Sequence, residues 1–155
     1  MSEERKARRF RMGCLVYLLA ALGLGGLLFW ATSREVARNP IREVTADLGP
    51  HGFVAIQFTT SPYPPLPIGT VSLSFMPMDS RRRTILLDSL TYEYGLVGSD
   101  QPFGSGQAQP MADGSGMFMT SARFSTVGNW WVSARLVKGN VQDEVRFVVY
   151  VEPAR

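Results

Sequence analysis

One cysteine and one histidine are all that this 155-residue chain has of the side chains that most often do covalent chemistry or bind zinc. With Cys14 alone, no disulfide can form within the chain. With His51 alone, a hydrolytic triad has a single choice of base, and no serine stands in the Gly-x-Ser-x-Gly turn that presents a nucleophile. Zinc needs three or four Cys, His or carboxylate ligands, and nothing clusters with His51. A P-loop, a dinucleotide fingerprint and a Cys-x-x-Cys-His haem attachment are also missing; Gly23-Leu24-Gly25-Gly26 lies inside an apolar run. Beyond the N-terminal tail, the one adjacent carboxylate pair is Asp143-Glu144, in a turn region. The sequence therefore predicts no enzyme and no small-molecule substrate.

Charge is sparse as well, and unevenly placed. The net charge is +3, and the residues before position 12 hold five Lys/Arg against two Asp/Glu. From Arg34 to Arg155 the count is eleven against eleven. The positive balance thus belongs to the tail, which excludes nucleic acid as a partner of the remainder. Internal repeats, heptads and useful amphipathic helical stretches are lacking too.

What the chain does have is one long apolar run. Met12 to Ala31 contains no charged residue and no Asn, Gln, Ser, Thr or Pro. At 1.5 Å per residue, twenty helical residues measure about 30 Å, the thickness of a bilayer's hydrocarbon core. Arg5, Lys6, Arg8, Arg9 and Arg11 precede the run, and Arg34, Arg38 and Arg42 follow it more sparsely. The positive-inside rule then puts the N-terminus in the cytoplasm and residues 33–155 outside. The expected division is a basic tail over 1–11, a transmembrane helix over 12–32, a stalk over 33–40 and an exported domain over 41–155. A cleaved signal peptide is disfavoured because its apolar region usually spans about 7 to 15 residues. A lipid-modified cysteine is excluded by position, since Cys14 precedes the apolar run instead of following it. Ala21 and Gly25, four apart, offer a small-residue face for packing against other membrane helices.

Beyond Pro40 the pattern turns to period two, the mark of half-buried strands. Strands are expected over 41–48, 52–60, 70–75, over 84–97 as one long or two short strands, and over 116–124, 129–137 and 145–151. The segment 61–67 carries four prolines and breaks any ladder. It is read as a rigid surface loop or a polyproline II docking segment. Residues 98–106, rich in Gly and Ser, are read as a loop. Lys138-Gly139-Asn140 is a hairpin turn. About seven short strands joined by Gly/Pro turns predict an antiparallel immunoglobulin-like β-sandwich behind a single N-terminal transmembrane helix.

The last third carries a resemblance. Asp113-Gly114-Ser115-Gly116-Met117-Phe118, Phe124, Gly128-Asn129-Trp130 and the alternating strand that follows resemble the end of YtkA-like domains. These are small bacterial immunoglobulin-like sandwiches, often tethered by one N-terminal span. Relatives occur near copper-handling proteins and cytochrome oxidase assembly factors. The resemblance covers roughly residues 45–152, with its specific part at 113–151, and Phe75-Met76-Pro77-Met78 echoes the family's Met-containing segment. The Pro-rich loop and Arg81-Arg82-Arg83 depart from it, and no histidine stands close to the methionines. The resemblance implies a domain on the outer face of a bacterial cytoplasmic membrane, in or near an electron-transfer complex.

Two functions follow as expectations. The first is a non-catalytic accessory subunit or interaction module, with the lipid bilayer and other membrane subunits as partners and no cofactor. Its partner surface would use Trp131 and Tyr150, which alternate out of phase with the core, and Arg81, Arg82 and Arg83. The second is a tethered copper-binding or assembly factor. Thioethers are soft ligands suited to Cu(I), and residues i and i+2 of a strand share a face. Met76 with Met78 and Met117 with Met119 would supply the sulfurs, with Met111 nearby and His51 as a further ligand.

Overall fold

The computed structural model describes residues 20–30 and 40–154. They belong to two units, divided between Arg38 and Asn39. In the first, residues 20–30 form a helix. Eleven residues at 1.5 Å each give about 16 Å, half a hydrocarbon core. Among the described residues no helix is long and apolar enough to cross a membrane. This corrects the expected transmembrane helix. Residues 12–19, 31 and 32 of the expected span, with Cys14, lie outside the described residues. Ala21 and Gly25 lie within the described helix, where a Cβ built on Gly25 would meet nothing within 4 Å.

The second unit holds eight strands: β1 (Arg42–Asp47), β2 (Phe53–Ser61), β3 (Val71–Met78), β4 (Ser89–Leu96), β5 (Gly104–Pro110), β6 (Phe118–Ala122), β7 (Gly128–Lys138) and β8 (Val141–Val151). All neighbours are antiparallel, in the order β1-β2-β3-β6-β5-β4-β7-β8. The ends of this order approach each other, and the Asp47 N–H donates to Asp143 Oδ2 at 2.7 Å. The result is one nearly closed sheet, not the expected seven-stranded immunoglobulin arrangement. In the immunoglobulin order the third strand crosses to the opposite sheet. Here β2 and β3 pair directly from Ala55↔Met78 to Ser61↔Ser72, and the chain crosses only after β3.

Period-two patterning fills the inside. Val54, Ile56 and Phe58 of β2, Val71, Leu73 and Phe75 of β3, and Trp130, Val132, Ala134 and Leu136 of β7 are buried with Val145, Phe147, Val149 and Val151 of β8. Phe58 stacks on Phe147 at 4.8 Å and meets Phe75 at 5.1 Å. A second aromatic group gathers around Trp130, with Phe124 at 5.2 Å and Tyr94 at 6.2 Å.

The eighth strand, β5, falls in and after the segment read as a loop. Gly-Ser-Gly-Gln-Ala-Gln-Pro has almost no apolar alternation to betray it. Its reason for pairing lies on β4: Tyr94 is opposite Gly104 and Tyr92 opposite Gly106. A Cβ at Gly104 would come within 2.7 Å of the Tyr94 ring, and one at Gly106 within 3.1 Å of Tyr92. The missing side chains make room for the rings, whose hydroxyls reach β6 and the segment after it. Tyr92 Oη donates to the Ser121 carbonyl at 3.0 Å, and the Arg123 N–H donates to Tyr94 Oη at 3.3 Å. Of the one long or two short strands expected over 84–97, the structure has one, β4. Residues 84–88 belong to the crossover 79–88 from β3 to β4, pinned by the Ile85 N–H to the Pro77 carbonyl at 3.0 Å.

The registers sort the connections into two ends. One end holds residues 40–41, where the chain enters, with loops 62–70, 97–103 and 123–127 and the C-terminal residues after Val151. The Glu152 N–H donates to the Pro65 carbonyl at 3.0 Å there, so the Pro-rich loop is folded onto the C-terminus, with Pro65 buried. The other end holds the 3-10 turn Gly49–His51, the crossover 79–88, loop 111–117 and the β7–β8 turn.

Candidate functional site

Strand pleating brings methionines from three neighbouring strands to one outward face. Phe75 and Phe118 pair across β3 and β6 and are both buried, so the alternating residues Met76, Met117 and Met119 face outward. Met119 pairs with Ser74 on one side and Gln109 on the other. Met76 and Met117 are the next residues beyond the Phe75–Phe118 pair. Met111, just past β5, donates its N–H to the Met117 carbonyl at 2.8 Å, which lays it alongside. Directly opposed residues on such a face have Cβ atoms about 4.5–5.5 Å apart and diagonal ones about 7–8 Å. Long thioether side chains span either distance. All four methionines are half-buried, although they stand on the outer face.

The expected ligand set is thereby revised. Met78 also stands on β3, but it is 6% exposed and forms a bridge with Thr84 beneath the crossover, so it is withdrawn from the surface. His51 sits in the β1–β2 connection against the β7–β8 turn, where a Cβ on Gly139 would lie 3.4 Å from its Nε2. The structure therefore joins Met76, Met117 and Met119 and adds Met111. Met78 and His51 are not brought to them. Among the described residues, no three His, Cys, Asp or Glu gather as a metal site.

The expected partner surface is also redrawn. Trp131 faces outward from β7 but is only 7% exposed. Its Nε1–H donates to the Ser99 carbonyl at 3.2 Å, and the Arg146 guanidinium lies 4.8 Å from the ring centroid. Gly95, opposite Trp131, leaves the space: a Cβ there would fall 2.6 Å from the indole. Tyr150 remains half-exposed on β8. Arg81, Arg82 and Arg83 are exposed in the crossover, and two of them are ion-paired: Arg82 with Glu43 at 3.2 Å and Arg83 with Asp79 at 2.7 Å. The Asp79 carboxylate accepts the Arg81 and Arg83 N–H groups, and these bonds with the Arg83 guanidinium hold its pKa below the ordinary value. The three arginines thus shape a turn, where Arg82 takes φ 61°.

A second outward feature gave no signal in the sequence. A shallow groove of about 230 Å³ runs over β5, β4, β7 and β8, lined by Glu93, Ser105, Ser133, Arg135 and Glu144 among others. Cross-strand register alone assembles it, since Glu93 is opposite both Ser105 and Ser133, and Arg135 is opposite Glu144. Ser133 is buried and donates to Glu144, which also accepts from Arg135 at 3.2 Å. The serine first and the arginine second depress the Glu144 pKa. A carboxylate whose pKa is lower folded than unfolded stabilises the fold above its unfolded pKa, about 4.3, and loses that contribution as pH falls through the folded value. Ser133→Ala should therefore cost about 1 kcal/mol at pH 7, as one hydrogen bond to a half-exposed carboxylate. The deficit should shrink as Glu144 protonates in acid. Urea unfolding at pH 7 and pH 3 checks this, and an equal deficit at both would contradict it.

No family model, no curated protein and no solved structure matches the chain.

Proposed function

We propose that the β domain is a non-catalytic interaction module, an accessory part of a larger membrane-associated assembly, and that the methionine face of β3, β6 and β5 is where a partner subunit docks. One observation carries the reading: Met76, Met111, Met117 and Met119 come from three adjacent strands to a single outward face. The inner core lies on the opposite side of those strands and has no use for them. Unbranched, polarizable thioethers suit adaptable protein contacts. The partner surface is accordingly apolar, and the contact is made by shape rather than charge. Purification in mild detergent should recover the chain in stoichiometric association with other subunits. Gln at Met76, Met117 and Met119 should weaken that association roughly tenfold or more, the scale of a small interface hot spot. A chain that is monomeric in mild detergent overturns the reading.

The same convergence favours a second reading, a Cu(I) site of thioether ligands, because soft donors from neighbouring strands share one face. Leucine separates the two. It keeps volume and apolar contact at the four positions but removes every sulfur. If docking is the function, the quadruple Met→Leu variant keeps its partner. If copper is the function, that variant loses Cu(I) in a competition titration with a chromogenic chelator, and an unchanged affinity rejects copper.

A further inference from the structure

The two ends of the barrel differ in kind. At the end where the chain enters, large apolar side chains stand in water on four separate segments: Ile41 before β1, Ile68 in the Pro-rich loop, Val97 and Phe103 after β4, and Val127 before β7, with Tyr150 close by at the end of β8. Ile68 is 73% exposed and Phe103 56%. Charge is sparser here than at the other end, with Arg42 opening β1 and Glu152 following Val151. Residues 62–70 contain no charged side chain, loop 97–103 contains only Asp100, and loop 123–127 only Arg123. The opposite end carries His51, Asp79, Arg81, Arg82, Arg83, Asp88 and Asp113 in its connections. Phe53 and Leu86 are exposed there, but among those charges.

We infer that the entry end of the barrel rests on a lipid bilayer, with Ile68 and Phe103 inserted at the boundary between headgroups and acyl chains. Three features select lipid over a protein partner. The apolar residues form a rim spread around the mouth of the barrel, a shape that suits a soft planar surface. The rim residues belong to loops, whose side chains enter an interface without disturbing the ladders. The third is an arginine beside a tyrosine at this end. Tyr63, half-buried, lies under the Arg42 guanidinium at 6.0 Å to the ring centroid. An arginine and a tyrosine at one level suit the headgroup layer, where amphipathic rings and long basic side chains collect. Between loops 97–103 and 123–127 an open recess of about 350 Å³, bordered by Leu96, Phe103 and Trp130, gives the rim room to adjust. The inference uses neither the methionine face nor any subunit, so it stands or falls apart from the proposed docking.

The test uses the full chain with Cys14→Ser, so that a single introduced cysteine carries an environment-sensitive fluorophore. Labels are placed through Ile68→Cys, Phe103→Cys and, at the far end, Arg82→Cys. With phosphatidylcholine vesicles, emission at positions 68 and 103 should shift to the blue and be quenched by nitroxides on the acyl chains, while position 82 stays as it is in water. Vesicle flotation reports whether the chain is bound. Bound chain with all three positions equally hydrated overturns the inference, as does failure to float. Protection of 68 and 103 only in the native assembly, and not on vesicles, overturns it in favour of a protein partner. An unlabelled Ile68→Asp/Phe103→Asp variant, shown to be folded by circular dichroism, should lower quenching of a label at Val127→Cys at least twofold. Unchanged quenching there also counts against insertion.

Discussion

Trp130→Ala should be the most damaging single substitution in the β domain, costing about 4 kcal/mol of unfolding free energy. Trp130 is the largest fully buried side chain, 1% exposed. Phe124 lies 5.2 Å away edge-on, Phe103 5.5 Å edge-on and Tyr94 6.2 Å tilted. Its Nε1–H donates to the Thr126 carbonyl at 3.0 Å. Truncation removes the transfer energy of the indole, leaves a cavity among the three rings, and takes the donor from that carbonyl. Trp130→Phe should cost less, about 1–2 kcal/mol, because a ring remains in place while the hydrogen bond is lost. Denaturant unfolding followed by far-ultraviolet circular dichroism checks both. A loss below about 1 kcal/mol for alanine would mean that the aromatic group does not organise this core.

Gly104→Ala should also be costly, out of proportion to the one methyl it adds. A single methyl is expected to cost about 2–3 kcal/mol, an overpacking effect at a position that sequence rules would call improved by alanine. Gly104 needs no unusual backbone angle. It is required because an added Cβ would sit 2.7 Å from the Tyr94 ring, which itself leans on Phe124 and Trp130 and is anchored at its hydroxyl. Moving the ring aside would break these contacts. The clash explanation makes a sharper demand than destabilisation alone. In a Tyr94→Leu background, Gly104→Ala should become nearly neutral, a coupling of about 2 kcal/mol in a double-mutant cycle. Additive costs would place the effect in the backbone of β5 and reject steric cause.

The methionine face shows how a site can be half-visible in a chain. Met76 and Met117 with Met119 stand out because a two-residue period puts them opposite the inward phenylalanines. Whether pairs on different strands meet depends on register, and register is set by the pairing of Phe75 with Phe118. Met78 obeyed the same periodicity and was lost to a crossover folded over it. His51 was an eligible ligand by chemistry alone, and its place in the β1–β2 connection removed it. Trp131 alternates out of phase with Trp130 and Val132, yet loop 97–103 and Arg146 cover it.

The sequence by itself determined the β character of residues 41–151, most strand positions, the identity of the inward residues and the neutrality of this part of the chain. These follow from local period and composition, which act residue by residue. Tertiary structure alone decided that eight strands join in one nearly closed sheet, that β5 is a strand and not a loop, and that apolar and charged connections segregate to opposite ends. Each depends on contacts between residues far apart in the chain. Tyr92 and Tyr94 need the bare backbone of Gly106 and Gly104 beneath them, and no pattern within seven residues of β5 records that need. Nor does any local pattern record that Ile68, Phe103 and Val127, on three loops, meet at one end. The ladder registers put them there, and the hydrogen bond from Glu152 to Pro65 closes that end.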